Sequence, residues 1–248
     1  MPRYFLKLSF NGKAFHGWQV QDNAHSVQAE LNTALTTLLK QPIETMGCGR
    51  TDTGVHAKMF FAHFDCNEAI EHEKDFRFHL NCLLPLDVSI LEVIPVAADA
   101  HARYDATWRT YQYYTHSFKN PFLNDTSYYF PFPVDIDLMN KAAELLFTHS
   151  DFSCFSKSNT QVKTNICKIA SAKWTKVEDQ LVFEITADRF LRNMVRAIVG
   201  TLLEVGEKRI TIDDFKKVLE AGNRSHAGMS VPGHALFLVD VRYPYINP

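Results

Sequence analysis

The chain has 248 residues, 46% hydrophobic and 22% charged, a composition that fits a soluble globular protein and excludes a disordered one. No apolar run approaches the roughly 20 residues that a membrane-spanning helix needs, and the opening Met1-Pro2-Arg3-Tyr4-Phe5-Leu6-Lys7 is broken by Lys7, so neither a span nor a signal peptide is expected. The net charge of −2 excludes a globally basic nucleic-acid binder, so any phosphate-binding surface has to be a local patch. Residues 1–105 carry 9 Lys/Arg against 13 Asp/Glu and residues 106–248 carry 17 against 15, which places the mild basic excess in the C-terminal half. Five widely spaced cysteines without a Cys-x-x-Cys argue against a disulfide framework and for a reducing, cytoplasmic setting.

In chain order, Arg3–Phe10 alternates Tyr4, Leu6, Leu8 and Phe10 against Phe5, Lys7 and Ser9, which predicts a strand ended by Asn11-Gly12. Phe15-His16-Gly17-Trp18-Gln19 reads as a loop with two large aromatics. Ser26 is a predicted N-cap for a helix to Lys40, whose apolar stripe holds Val27, Leu31, Ala34, Leu35, Leu38 and Leu39 and which Pro42 stops. Short apolar segments at Ile43–Met46 and Met59–Phe64 predict two more strands. A charged helix around Glu71–Cys82 and a strand at Val88–Val96 follow.

The second half reads in the same order. Thr107–His116 is a tyrosine-rich strand, and Asp135 caps a helix carrying Leu138, Ala142, Leu145 and Leu146. Ile166–Val177 and Leu181–Asp188 form a predicted hairpin across Glu178-Asp179-Gln180. Leu191–Leu203 is an amphipathic helix ended by Gly206, Ile212–Ala221 is a helix followed by Gly222, and Ala235–Tyr243 is a last strand. Each half is β-α-β-β-α-β, with one helix added in the second. The expected fold class is therefore α+β, with two tandem ferredoxin-like (RRM-like) halves, residues 1–105 and 106–248, whose antiparallel sheets join around a central cleft.

The stretch Met46-Gly47-Cys48-Gly49-Arg50-Thr51-Asp52-Thr53-Gly54-Val55-His56-Ala57 joins the two strands of the first half. Three glycines in eight residues call for unusual backbone angles or close approach of another molecule. The pairs His56/His63 and His72/His79 are each seven apart, match no zinc spacing, and lead to no expected metal. Gly47-Cys48-Gly49-Arg50-Thr51 could cradle an anion, but a strand follows it where a phosphate loop would have a helix. Cys48 near His56 and His63 would suit acyl transfer as a minor alternative. Asp52, beside Arg50 and between Thr51 and Thr53, is either an ordinary turn aspartate or a working carboxylate. Arg192 and Arg196, four apart on the predicted Leu191–Leu203 helix, fall opposite its apolar stripe and suggest a partner for such a carboxylate.

Gly49-Arg50-Thr51-Asp52-Thr53-Gly54-Val55-His56-Ala57 resembles the active-site motif of the TruA family of tRNA pseudouridine synthases. The resemblance extends in order along the chain. It includes Phe15-His16-Gly17-Trp18-Gln19-Val20-Gln21 with Ser26-Val27-Gln28, Asn81-x-Leu83-Leu84-Pro85, and Ala102-Arg103-Tyr104-Asp105-Ala106 with Arg109-Thr110-Tyr111-Gln112-Tyr113. Asp151-Phe152, Phe190-Leu191-Arg192-Asn193-Met194-Val195-Arg196-x-Ile198-Val199-Gly200 and Leu236-x-Leu238-x-x-Val241-x-Tyr243-Pro244 complete it.

The resemblance implies isomerisation of uridine to pseudouridine in the tRNA anticodon stem-loop, at positions 38, 39 and 40, with base flipping, no cofactor and no metal. It implies a homodimer that binds tRNA in basic clefts. It implies that Asp52 is the catalytic aspartate, that Arg50 helps evict the target nucleotide, that Tyr111 stacks on the flipped uracil, and that Arg196 pairs with Asp52. A carboxylate with an ordinary pKa of about 3.9 is ionised at neutral pH and can attack C1′ or C6 or take a proton from C2′. Two stretches depart from the family pattern: Thr53, where the family usually has Ala, and Ser230-Val231-Pro232-Gly233-His234-Ala235-Leu236.

Overall fold

The computed structural model describes residues 1–157 and 164–246. In chain order the elements are β1 (Arg3–Phe10), α1 (Val27–Leu39), β2 (Met46–Gly47), β3 (His56–Asp65), α2 (Glu73–Leu83), β4 (Val88–Val96), β5 (Trp108–His116), β6 (Tyr128–Tyr129), α3 (Ile136–Glu144), β7 (Ile169–Val177), β8 (Gln180–Ala187), α4 (Met194–Gly206), α5 (Ile212–Ala221) and β9 (Leu236–Arg242). Helices and sheet strands mix in one chain, as the α+β expectation has it. The chain divides into two compact units, Met1–Thr107 with Phe237–Pro248, and Trp108–Leu236.

In the first unit β1 is flanked by β3 and β4, antiparallel to both, with Arg3 opposite Asp65 on one side and Val96 on the other. The remaining edge of β3 is shared. Near its end Met46 and Gly47 of β2 pair with His63 and Ala62, and at its start His56 and Ala57 pair in parallel with Phe237 and Leu238 of β9. The strand therefore begins inside the glycine-rich stretch, earlier than Met59, because β9 supplies it with a partner. The expected strand over Ile43–Met46 shrinks to two residues for the converse reason, since pairing there is confined to Met46 and Gly47.

Alternation in β1 sends Tyr4 against Phe64 and Phe10 against Phe60 on one face. Phe5, on the other face, is fully buried against Tyr243 and Tyr245, ring centroids 5.3 and 6.2 Å away. Residues just past β9 thus cover a face that the sequence pattern leaves open. Helix α1 starts as expected, with the Ser26 hydroxyl accepting from the Ala29 N–H at 3.3 Å, and stops at Lys40 in the left-handed conformation, φ 54°.

In the second unit β5, β8 and β7 form an antiparallel sequence, Tyr113 opposite Phe183 and Phe183 opposite Trp174, and β6 lies parallel to the end of β5. Helix α3 starts at its Asp135 cap, and α5 carries a reciprocal capping box between Thr211 and Asp214 and ends on Gly222 at φ 59°. Helix α4 is buried on most of its length. Gly206 is its last residue, not a left-handed terminator: a Cβ there would fall 2.8 Å from the Met139 sulfur, so the missing side chain is what lets α3 and α4 approach. Among the described residues, no helix is long and apolar enough to cross a membrane.

Candidate active site

The loop Cys48–Val55 of the first unit is built by its neighbours. It enters on the Cys48 N–H, which donates to the Phe61 carbonyl at 2.7 Å, and Gly47 ahead of it leaves room for the Trp18 ring, to which a Cβ would approach within 2.6 Å. Trp18 is itself stacked on Phe60, centroids 4.2 Å apart. The next neighbour is the Phe15–Gln19 segment. Gly17 has φ +94°, and a Cβ on it would lie 2.2 Å from the Thr51 carbonyl oxygen, so its backbone presses directly on the loop. Further on, the Gly54 N–H donates to the Phe15 carbonyl at 3.2 Å, and the Val55 N–H closes a turn onto the Asp52 carbonyl at 3.2 Å. Gly54 sits third in that turn with φ +77°, a conformation that glycine adopts without strain. Thr53 is the second residue of the turn and is exposed, so any small or polar side chain fits there.

The exit is fastened by His56. Its Nδ1 accepts from the Gly12 N–H at 3.0 Å, which leaves the ring proton on Nε2 when the histidine is neutral, and the ring stacks on Phe237 at 4.5 Å and 18°. A Cβ on Gly12 would meet the Val55 carbonyl oxygen at 2.0 Å, so two glycines from distant sequence, Gly12 and Gly17, clamp the loop from one side. Arg50 is exposed on this loop and Asp52 is partly buried. Gly49, between Cys48 and Arg50, has open space on its Cβ side, nothing lying within 4 Å. Of the three loop glycines, then, one serves the backbone angle, one serves Trp18, and one faces a void.

The second unit holds the other two expected site residues. Tyr111 is on β5 opposite Ile185, and its ring meets Phe190 edge to face at 5.1 Å and 90°. Phe190 opens the segment that leads into α4. Arg196 lies in the first turn of α4, and its Nε donates to the Val231 carbonyl at 2.7 Å while the Val231 N–H donates back to the Arg196 carbonyl at 3.2 Å. Pro232 accepts from the Tyr113 hydroxyl at 3.0 Å, and a Cβ on Gly200 would lie 1.8 Å from the Met229 carbonyl oxygen. Met229 with residues 230–232, the latter the start of the stretch that departs from the family pattern, is thus the strap that holds Arg196 and the back of β5.

The helix bearing Arg196 begins later than the sequence predicts. Asn193 has φ +68°, which a right-handed helix cannot continue through, so α4 starts at Met194. Arg192 therefore precedes the helix and does not share a helical face with Arg196. Its carbonyl instead accepts from the Lys157 N–H at 3.1 Å. The Asn193 side chain in turn donates to the Ser230 hydroxyl at 2.5 Å, joining this corner to the strap.

The remaining candidates separate. Cys48 is 1% exposed, and a thiol so enclosed is poorly placed to act as a nucleophile. His56 and His63 take separate backbone partners, the Gly12 N–H for His56 and the Ala102 N–H, which donates to His63 Nδ1 at 3.1 Å, for His63. Sequence reasoning missed Gly12, the Val231 carbonyl and the part played by Phe190. Only Gly12 carried a signal, as part of the Asn11-Gly12 pair that ends the first strand.

Comparison with known proteins agrees with the motifs. A tRNA pseudouridine synthase family profile matches residues 142–244. The chain is 53% identical over 244 residues to the tRNA pseudouridine synthase A of Parabacteroides distasonis, covering 98% of this chain and 97% of the relative. It is 53% identical over 246 residues to that of Bacteroides fragilis, with coverage of 98% and 97%. At greater distance it is 38% identical over 240 residues to that of Bacillus pumilus, covering 95% of this chain and 97% of the relative. Similarity of this extent over nearly the whole length means that the chain belongs to the TruA family of tRNA pseudouridine synthases.

Proposed function

We propose that the protein isomerises uridine to pseudouridine in the anticodon stem-loop of tRNA, at positions 38, 39 and 40, with Asp52 as the catalytic carboxylate. The observation that carries this reading is the near full-length similarity to proteins named tRNA pseudouridine synthase A. In the reaction the C1′–N1 bond breaks, the uracil turns while held, and C1′ bonds to C5. The C5 hydrogen leaves as a proton and N1 takes one up. Nothing is consumed, so the residues have only to extrude, hold and activate the base, and no cofactor is required.

Asp52 supplies the carboxylate, by attack at C1′ or C6 or by proton abstraction at C2′. The clamp formed by Gly12, Gly17 and the Asp52–Val55 turn supports this role, because a reacting group has to be held in one geometry. Arg50 fills the space that the extruded nucleotide leaves, and its exposure on the same loop suits that task. Tyr111 offers its face to the uracil, a stack worth about 1–3 kcal/mol, and the edge-on Phe190 sets the plane of its ring. Arg196 takes the role that the family resemblance implies for it, the partner of the Asp52 carboxylate.

The open space beside Gly49 fits close approach of the RNA backbone. The finer fold reading, two ferredoxin-like halves, is supported in the first unit by the order β4-β1-β3 with β2 on the far edge of β3. A cytoplasmic homodimer is the working form implied by the family resemblance.

Pseudouridine mapping of tRNA treated with wild type and with Asp52→Asn tests the proposal. Wild type should convert uridines of the anticodon stem-loop, and Asp52→Asn should bind tRNA without converting any. A wild type that binds tRNA but modifies none would mark a non-catalytic binding module instead.

A further inference from the structure

Buried polar atoms in folded proteins are nearly always hydrogen-bonded, and an exception at a working site calls for a reason. Among the described residues, three buried side-chain N or O atoms lack a hydrogen-bond partner: Thr51 Oγ1, Asn165 Oδ1 and Trp174 Nε1. Only Thr51 neighbours the candidate carboxylate, being directly before Asp52 in the clamped loop.

Its surroundings make the omission informative. The Thr51 backbone is fixed by the contact of its carbonyl with Gly17, and the following turn is fixed by the Val55-to-Asp52 hydrogen bond. The main chain is thus held on both sides while the hydroxyl between them satisfies nothing. With less than 1 Å² of accessible surface, Oγ1 is also out of reach of solvent. Yet the residue as a whole is only partly buried, so its exposed surface belongs to its other atoms. A step of about 120° in χ1 carries the hydroxyl into the place of the methyl group and the methyl into that of the Cβ hydrogen. A hydroxyl that is idle inside, on a residue that still reaches the surface, gains a hydrogen bond from any polar group that docks where a rotamer change can present it.

We infer that Thr51 is a positioning residue whose hydroxyl turns outward and makes its hydrogen bond only when the target nucleotide is bound, holding a polar edge of that nucleotide beside Asp52. The inference rests on the proposed uridine isomerisation. A hydroxyl can both donate and accept, so it serves a uracil carbonyl or N–H or a ribose hydroxyl equally. In the free protein it contributes nothing to the fold. In the complex it limits how the nucleotide can lie against the carboxylate. It therefore belongs to the rate of the chemical step and not to overall tRNA affinity, which phosphate contacts dominate.

The test compares wild type, Thr51→Val, Thr51→Ser and Thr51→Ala by thermal midpoint, by Kd for tRNA, and by the single-turnover rate of pseudouridine formation. Val keeps the shape of Thr and deletes only the hydroxyl. Thr51→Val should melt no lower than wild type, bind tRNA within about twofold, and react at least about tenfold more slowly, with Ala equally slow and Ser restored to near the wild-type rate. A Thr51→Val protein that reacts at the wild-type rate overturns the inference. So does one that melts clearly lower, since the hydroxyl would then have a partner in the free protein, and so does a slow Thr51→Ser. A wild type that forms no pseudouridine overturns the underlying reading instead, and is recognised because all four proteins are then silent.

Discussion

Gly17 and Thr51 meet backbone to backbone: Gly17 holds φ +94°, and the place where a Cβ would stand is 2.2 Å from the Thr51 carbonyl oxygen. Two elements that are far apart in sequence, the loop after β1 and the loop before β3, are thereby pressed into one body. Gly12 repeats the arrangement against Val55 at 2.0 Å. The conformation of the Asp52 loop is consequently set by glycines outside it as much as by those within it.

Gly17→Ala should for this reason lower stability by about 2–4 kcal/mol, combining a disfavoured φ with a backbone overlap that no side-chain motion can relieve. Gly49→Ala provides the contrast. It has neither a positive φ nor any atom within 4 Å of the added methyl, so stability should change by about 0.5 kcal/mol or less. If RNA approaches at Gly49, pseudouridine formation should fall in Gly49→Ala even though the fold does not. Urea unfolding of the two variants, read beside turnover, separates these effects.

Arg196 should prove hard to replace even by another cation. Its Nε donates to the Val231 carbonyl, and the planar guanidinium fork directs its remaining N–H groups elsewhere in a fixed geometry. A lysine cannot do both. Arg196→Lys should therefore lose most of the activity while retaining the charge, and Arg196→Ala should in addition lose about 1–2 kcal/mol of stability through the strap. Chemical denaturation and single-turnover rates of both variants check this.

His63 should make the first unit sensitive to acid. Burial, then the positive charge of Arg3, lower its pKa from 6.5 to about 4. A histidine with a depressed folded pKa adds stability that is fully present above 6.5 and is lost as the pH falls toward 4, because in that window the unfolded chain takes up a proton that the folded one refuses. The loss amounts to at most about 3 kcal/mol at 1.36 kcal/mol per pKa unit. Asp65, held low chiefly by its hydrogen bonds from Arg3, acts only below the usual carboxylate range of 3.8, so the two windows do not overlap. The urea midpoint should drop between pH 6.5 and 4, and His63→Gln should flatten that slope.

Regular elements with strong local signals were legible in the sequence. The strand Val88–Val96 and the helix Ile212–Ala221, with Gly222 at its end, have the bounds that alternation and capping residues predict. Elements defined by a distant partner were not. The start of β3 at His56 depends on Phe237, some 180 residues on, and the late start of α4 depends on one left-handed asparagine whose side chain reaches Ser230. The same division holds at the candidate site. Glycine density and residue type singled out the Asp52 loop, whereas the clamp by Gly12 and Gly17, the idle Thr51 hydroxyl and the Val231 carbonyl under Arg196 are all products of contact. A sequence states which groups are present, but the pairing of a buried hydroxyl is known only when its neighbours are.

The return of β9 to the edge of β3 has a consequence for synthesis. The first unit is made of two segments, Met1–Thr107 and Phe237–Pro248, with the whole of the second unit emerging between them. A nascent chain can form β1, β3 and β4 early, but the ring of His56 stays uncovered until Phe237 leaves the ribosome. Closing such a long loop is slow compared with local pairing. The Asp52 loop is thus finished only once β9 has been made, and fragments that stop before Phe237 carry the motif without its seal.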